Sequence, residues 1–432
     1  MVTPGNYLTV DQVRADIPLT EKYIYLDNAA TTPVPLPVIK KMHEYLTEYC
    51  ANIERGAYSI ANRVTEEWDK ARADIARLLL NCDPASMIFT RNLTQATNIV
   101  AYSLSHPFIT VKNGRFERRK PLVKWRGGDE IVTTVVEHHS NILPWMRLAY
   151  DQKVKFKMIK NLPRTGEITV DAVLDNVSGK TKLLAFQHTS NVFGTINDVA
   201  SIVREVKNKN PDCLIYVDGS QGPGHMPVDV YKMGCDFYGF SGHKGPLGPA
   251  GTGGLYVKRE LISDMEPFEL GGGIISNVTD TFYELRGDYP SKRFDAGSPN
   301  ILGMIGLGEA ARYVATRIGL NRIHDAEKKL MEFLIDEIQG VNGIEIYGPM
   351  EKSIKSGVLT FNLKGWNSHD VSLALDEKWR ILTRAGHHCA LPAIRWLGLD
   401  QPYGGNVRIS LHYFNTFGEI EATVKALKEL SS

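Results

Sequence analysis

Lys244 lies in the stretch FSGHKGPLGPAG (240–251), directly after the apolar run DFYGF (236–240). A lysine amine, once deprotonated, condenses with an aldehyde, and burial at a strand end is one way to deprotonate it. Asp218 lies 26 residues earlier in VDGSQ (217–221), a spacing that fits one strand, one connection and the next strand. A carboxylate placed there can keep the ring nitrogen of an aromatic aldehyde protonated. Thr94, Ser241 and His243 offer two hydroxyls and an imidazole for a phosphate. An anchoring lysine, a carboxylate partner and a phosphate cup are together what pyridoxal 5'-phosphate requires.

These residues need elements that bring them together. EIVTTVV (130–136) runs into Glu137, His138, His139, Ser140 and Asn141, and KLLAF (182–186) runs into Gln187, His188, Thr189, Ser190 and Asn191. CLIYV (213–217) runs into Asp218, Gly219, Ser220 and Gln221, and DFYGF into Ser241, Gly242, His243 and Lys244. Short apolar runs alternating with helical patterns predict a parallel α/β sheet, whose ligands bind beyond the carboxyl ends of the strands. Any one cluster is also an ordinary strand-to-helix loop. Four of them, with a Lys, an Asp and several His, point to one site. MIFT (87–90) reads as a further strand, followed by a helix that Asn92 or Thr94 caps and whose free N–H groups suit an anion; alone, Thr94 is simply a cap.

The chain of 432 residues is long enough for two domains. Its 43% hydrophobic and 23% charged residues fit a globular protein, and a formal charge of +1 gives no global field for nucleic acid or an anionic membrane. The first residues lack the basic and apolar regions of a signal peptide and carry Asp11 and Asp16, and no apolar run reaches the ~18 residues of a membrane span, so a cytoplasmic enzyme is the expectation. The five cysteines (50, 82, 213, 235 and 389) are odd in number and form no CxxC pair, so they suggest neither a disulfide framework nor a zinc site. There is no GxxxxGK[ST] loop, and GLGEAA (306–311) opens no clear strand-to-helix turn, so ATP and nicotinamide are weak alternatives.

With YLDNAATTPVP, EHHSNILPW, SNVFGT, VDGSQ, SGHKGPLGPAGTGGLYV, FDAGSPN, RAGHHCALP and VRISLHYFNT, the chain resembles the fold-type I, class V aminotransferase superfamily over nearly its whole length. RAGHHCALP narrows the resemblance to group II, SufS-type cysteine desulfurases. It implies an α/β fold-type I transferase with a mainly parallel central sheet and a smaller α+β C-terminal domain. The expected division is an N-terminal segment (1–25) packed on the small domain, a large cofactor-binding domain (26–300), and a small domain (301–432) carrying the nucleophile.

Residue by residue, the resemblance implies that Lys244 anchors the cofactor and moves the substrate's Cα proton. His138, counted with Lys244 and Cys389 as catalytic, stacks on the cofactor ring. Asp218 and Gln221 contact ring nitrogen and phenolic oxygen, Asn191 faces cofactor or substrate, and Thr94, Ser241 and His243 hold phosphate. Ser298 reaches across from the second subunit of a homodimer. Arg408 clamps the carboxylate of L-cysteine and Arg384 lines the entrance. Cys389 is the thiolate that takes sulfur as a persulfide, giving L-alanine, with His387, His388 and Arg384 as neighbours able to depress its pKa. The other four cysteines are expected to be buried and structural. A His/His/Cys metal cluster at 387–389 is an open but poor alternative, because adjacent side chains on an extended segment diverge.

Three positions depart from the family pattern: Tyr58 where histidine is usual, Asn92–Leu93 before Thr94, and Ser298 for threonine. An insertion, 106–128, holds seven basic residues against Glu117 and reads as a solvated hairpin or as a docking surface for an acidic sulfur-acceptor protein or a tRNA-linked partner. Helices over about 302–320 and 323–340 and strands at IEIYG, GVLTFNL and RISLHY precede a last helix. That helix opens with the capping box Thr416/Glu419 and buries Ile420, Val424, Leu427 and Leu430. The leading expectation is a desulfurase supplying sulfur for iron-sulfur cluster or related synthesis, with no direct nucleic-acid or membrane partner. Selenocysteine lyase and other class V lyases, epimerases or aminotransferases are the alternatives, along with an inactive scaffold, against which the retained Lys244, Asp218, His138, Arg408 and Cys389 argue.

Overall fold

The computed structural model describes residues 7–54, 56–160 and 164–432. Apolar, β-branched runs build a seven-stranded sheet from β1 (Met87–Thr90), β2 (Glu130–Thr134), β3 (Lys155–Ile159), β4 (Thr181–Gln187), β5 (Leu214–Asp218), β6 (Phe237–Ser241) and β7 (Gly253–Val257). The order is β1-β7-β6-β5-β4-β2-β3, with β7 antiparallel to both its neighbours and the pairings from β6 through β3 parallel. Leu183 and Ala185 join one hydrophobic cluster while Leu184 and Phe186 join another, so the sheet is covered on both faces and its strands read as unbroken apolar runs.

A second sheet is antiparallel, from β8 (Ile344–Tyr347), β9 (Val358–Leu363), β10 (Arg384–Gly386) and β11 (Asn406–Ser410), in the order β8-β9-β11-β10. Helices Leu320–Ile338 and Phe417–Leu430 cover it, burying Leu330, Leu334, Ile338, Val424 and Leu427 against Leu359, Phe361, Val407 and Ile409 in a third core. Thr416 and Glu419 form the capping box. The N-terminal residues tie on here: Arg14 pairs with Glu419 at 2.8 Å, and Ile24–Tyr25 adds a strand to Ile381–Leu382. β11 stops at Ser410, short of the expected RISLHY strand, because the chain turns there and buries His412 with its Nε2 donating to the Gly245 carbonyl at 3.0 Å.

The basic insertion folds as an exposed hairpin, Ile109–Lys112 with Arg115–Arg118, turned by Asn113 and Gly114 at φ +54° and +73°. Cys82, Cys213 and Cys235 are buried, whereas Cys50, expected to be buried, is exposed: Tyr49 occupies the inward position at the end of its helix and the next residue faces out. Among the described residues no helix is long and apolar enough to cross a membrane.

The loops after β5 and β6 pack backbone to backbone. Gly224 has φ +85°, and a Cβ there would lie 2.0 Å from the Gly245 carbonyl carbon, beside Lys244. Gly224→Ala is therefore expected to lower stability by about 1–3 kcal/mol or more in denaturant unfolding. The control Gly287→Ala, where an added Cβ meets nothing within 4 Å, should stay within about 0.5 kcal/mol of the parent.

Candidate active site

Beyond the carboxyl ends of β2, β4, β5 and β6 lies a cavity of about 240 Å³. Thr94, His138, Asn191, Asp218, Gln221, Ser241, His243, Lys244, Arg384, Cys389 and Arg408 all line it. Ser298 does not: it is exposed beside a second cavity, with Glu54, Gly273, Arg286 and Lys292.

Asp218 closes β5, and its carboxylate accepts the Ser220 N–H at 2.9 Å. Lys244 follows β6, in a loop tied down by Thr32 Oγ1, which donates to the Lys244 carbonyl at 2.7 Å. Burial brings the Lys244 amine down to about 8; Arg408 and Arg384 push the same way and Asp218 opposes them. Burial likewise raises the Asp218 carboxyl, an effect that the Ser220 hydrogen bond and Lys244 counter.

His138 Nδ1 accepts the Ser140 N–H at 3.1 Å, which places the ring proton on Nε2. Burial, then Lys244 and neighbouring cations, hold its pKa at about 3, so the ring is neutral and suited to lie on an aromatic surface. The loop carrying it is set by Glu137, which was not anticipated as a site-building residue. Its carboxyl is pushed up to about 8 by burial and bonds Thr134, Asn141 and the Gln187 N–H. An acidic residue directly after an apolar strand was the only signal for it in the sequence.

Asn92, not Thr94, caps helix Leu93–Ser105: its Oδ1 accepts the Gln95 N–H at 3.0 Å. Thr94 is left at the cavity wall, 2.7 Å from Ser140 Oγ. Ser241 Oγ accepts the Leu93 N–H at 3.1 Å, and His243 Nδ1 is buried without a partner. Asn191 Oδ1 and Arg408 Nε are also buried and unpartnered. Unmet hydrogen-bonding groups in one cavity, beside a helix N-terminus with hydroxyls and an imidazole, fit a polar, phosphate-bearing ligand. The donor set thus suits pyridoxal phosphate.

Arg384 and Arg408 are cross-strand partners on β10 and β11. Arg408 donates to Asp27 at 2.9 Å and to the Asn191 carbonyl at 3.1 Å. Arg384 Nη2 lies 4.0 Å from Cys389 Sγ. Cys389 is partly exposed in a turn where His388 and Cys389 have φ of +48° and +57°, left-handed values that cost about 1–2 kcal/mol each for such residues. The expectation that His388 supports the thiolate is corrected. His388 is buried with Nε2 on Asn406, and burial drives its pKa well below the usual value, so it carries no charge. His387 pairs with Asp400 at 2.9 Å. Arg384 is the cation at the sulfur, and among the described residues His387, His388 and Cys389 do not come together as a group of metal ligands.

The family description "Aminotransferase class-V" matches residues 24–423. A protein of Methanothermobacter thermautotrophicus named "Probable cysteine desulfurase" is 40% identical over 98% of this chain and 99% of its own. The apo structure of a cysteine desulfurase from Thermococcus onnurineus NA1 superposes with a TM-score of 0.89 at 37% identity, covering 100% of this chain and 99% of that one. An S-sulfonic acid form of a cysteine desulfurase from Escherichia coli gives 0.84 at 30% identity, covering 98% of each chain. The chain belongs to the aminotransferase class-V family.

Proposed function

We propose that this protein is a pyridoxal 5'-phosphate-dependent cysteine desulfurase. L-cysteine and the Cys389 thiol give L-alanine and a Cys389 persulfide: the substrate's Cβ–S bond breaks, an S–S bond forms at Sγ, and the thiol-bearing CH2 is reduced to CH3 as the sulfur is oxidised. The observation that carries this reading is Cys389 in the same cavity as Lys244 and Arg408, because the other reactions of this cofactor class need no protein thiol. Relatives bearing the desulfurase name over nearly their full length support it.

When bound, the cofactor supplies an electron sink that weakens bonds at the substrate's Cα. Thr94, Ser241 and His243 would hold its phosphate, Asp218 its ring nitrogen, Gln221 its phenolic oxygen and His138 its ring face, with Lys244 as its anchor and Asn191 beside them. With a pKa brought to about 8, Lys244 is in part the free base near neutral pH and can take and return a proton at Cα. Arg408, buried with Nε free, binds the substrate carboxylate in a planar, two-pronged way. Arg384, with Nη2 4.0 Å from Cys389 Sγ, faces the sulfur that takes the transferred atom.

The same reading extends to the assembly. A homodimer would bring Ser298 of the partner subunit to the phosphate, which fits its exposed position away from its own chain's cavity. For the domains 26–300 and 301–432, with 1–25 joined to the latter, the support is the separate core of Leu330, Leu359, Val407, Val424 and Leu427 with Leu26, while Ile301, Met304, Leu307 and the N-terminal Val13 and Ile17 share a core with Val64, Trp68 and Phe240 and so join the two domains. An acceptor protein in the cytoplasm takes the persulfide sulfur onward to iron-sulfur cluster or related synthesis.

Two measurements check this reading. The cofactor-loaded parent should form alanine and sulfide from L-cysteine with a reductant. Cys389→Ser should keep the cofactor absorbance and lose about 1000-fold or more of turnover; retained turnover contradicts the assignment. In the cofactor-free protein, the folded Lys244 pKa of about 8 lies below its ordinary 10.5. Lys244→Met should therefore be more stable by about 2–3 kcal/mol at pH 7, where both states of the parent are protonated and the folded one bears the burial cost. That advantage should fade between pH 8 and 10.5, where only the unfolded parent still binds the proton. A pH-independent difference in urea unfolding contradicts it.

A further inference from the structure

The nucleophile turn keeps two L residues in a left-handed conformation, so something outside the turn must hold it. Besides the bonds of His388 to Asn406 and His387 to Asp400, three hydrogen bonds from the loops after β2 and β4 do. The His139 backbone N–H donates to the Cys389 carbonyl at 2.7 Å, and the Leu391 N–H donates to His139 Nε2 at 3.1 Å. Asn191 Nδ2 donates to the His388 carbonyl at 2.9 Å. His139 thus grips the chain on both sides of the thiol, once with its main chain and once with its ring.

The ring can accept from Leu391 only when Nε2 is bare, which puts the proton on Nδ1. Burial and then the neighbouring His387 lower its pKa and favour that neutral form. The grip is anchored at its other end. Glu137 ties the loop to Thr134 and Gln187, and Asn141, which also bonds Glu137, accepts the Trp145 indole N–H at 2.9 Å. His139 is absent from the cavity lining, unlike its neighbour His138.

We propose that His139 is a positioning residue for sulfur transfer, clamping the Cys389 turn to the end of β2 so that Sγ stays beside Arg384. Adjacent histidines thereby divide the work: His138 serves the cofactor and His139 the nucleophile. The sulfur-transfer readout rests on the desulfurase reading; the exchange readout below does not.

The test uses the cofactor-loaded full chain with His139→Ala and His139→Gln. In a single turnover with L-cysteine, His139→Ala should form Cys389 persulfide about 10- to 100-fold more slowly, as a displaced reacting group does. The absorbance change on adding L-cysteine should keep the parent's rate. His139→Gln, whose amide oxygen can accept the Leu391 N–H, should recover part of the loss. Parental persulfide formation in His139→Ala overturns the proposal, as does an equal loss of the absorbance change, which would place His139 on the cofactor side. Hydrogen–deuterium exchange gives a readout that survives failure of the desulfurase reading or of a variant to fold. In the parent, the Leu391 amide should be protected. Exchange there at the free-peptide rate overturns the clamp, and acceleration in a folded His139→Ala, with helix Leu93–Ser105 unchanged, supports it.

Discussion

An amine buried among two arginines is an unstable place for positive charge. Lys244 lies in the same cavity as Arg384 and Arg408, and Asp218 is the buried carboxylate that opposes their effect on it. The Asp218–Lys244 juxtaposition exists because β5 and β6 are adjacent parallel strands, Asp218 closing β5 in register with Gly239 while β6 runs on to Ser241, just before Lys244. Everything else in the site is arranged around this balance. Lys244 gives up its proton more readily than an exposed lysine does, while the carboxylate remains available for a cationic ring nitrogen.

The second sheet supplies what the parallel sheet lacks. Strand ends of a parallel sheet present loops from one side only, so a cleft needs a wall from elsewhere. β10 and β11 provide it, with Arg384 and Arg408 paired across the strands and Cys389 three residues beyond β10. The nucleophile therefore sits on a turn rather than on a regular element, and its placement depends on contacts with the opposite wall. Asn191 and His139, from loops after β4 and β2, make those contacts.

Much of this was legible from residue patterns. The strands ending at Thr90, Thr134, Gln187, Asp218 and Ser241 lie where apolar runs met polar clusters, because a strand covered on both faces must be apolar throughout. β7 was not foreseen: GGLYV is short and glycine-rich, and its antiparallel insertion between β1 and β6 leaves no mark on composition. Site residues supplied by side-chain type, such as Lys244, Asp218, Arg408 and Cys389, were legible. Those supplied by three-dimensional hydrogen bonding were not, since nothing along the chain shows that His387 pairs with Asp400 or that His139 reaches Leu391. Cys50 shows the limit of composition, because a cysteine's burial depends on which side of a helix end it falls.

The central claim is that the cavity, and not low basicity alone, selects the anchoring lysine. Lys355 offers an internal comparison: it is buried, its amine is brought down to about 7 by burial, and its Nζ donates to the Phe193 carbonyl outside the cavity. Borohydride reduction of the protein loaded with pyridoxal phosphate, followed by peptide mass mapping, distinguishes the two. The pyridoxyl group is predicted on Lys244 alone. A label on Lys355 in its place, or no stable label on a cofactor-coloured protein, would contradict the account.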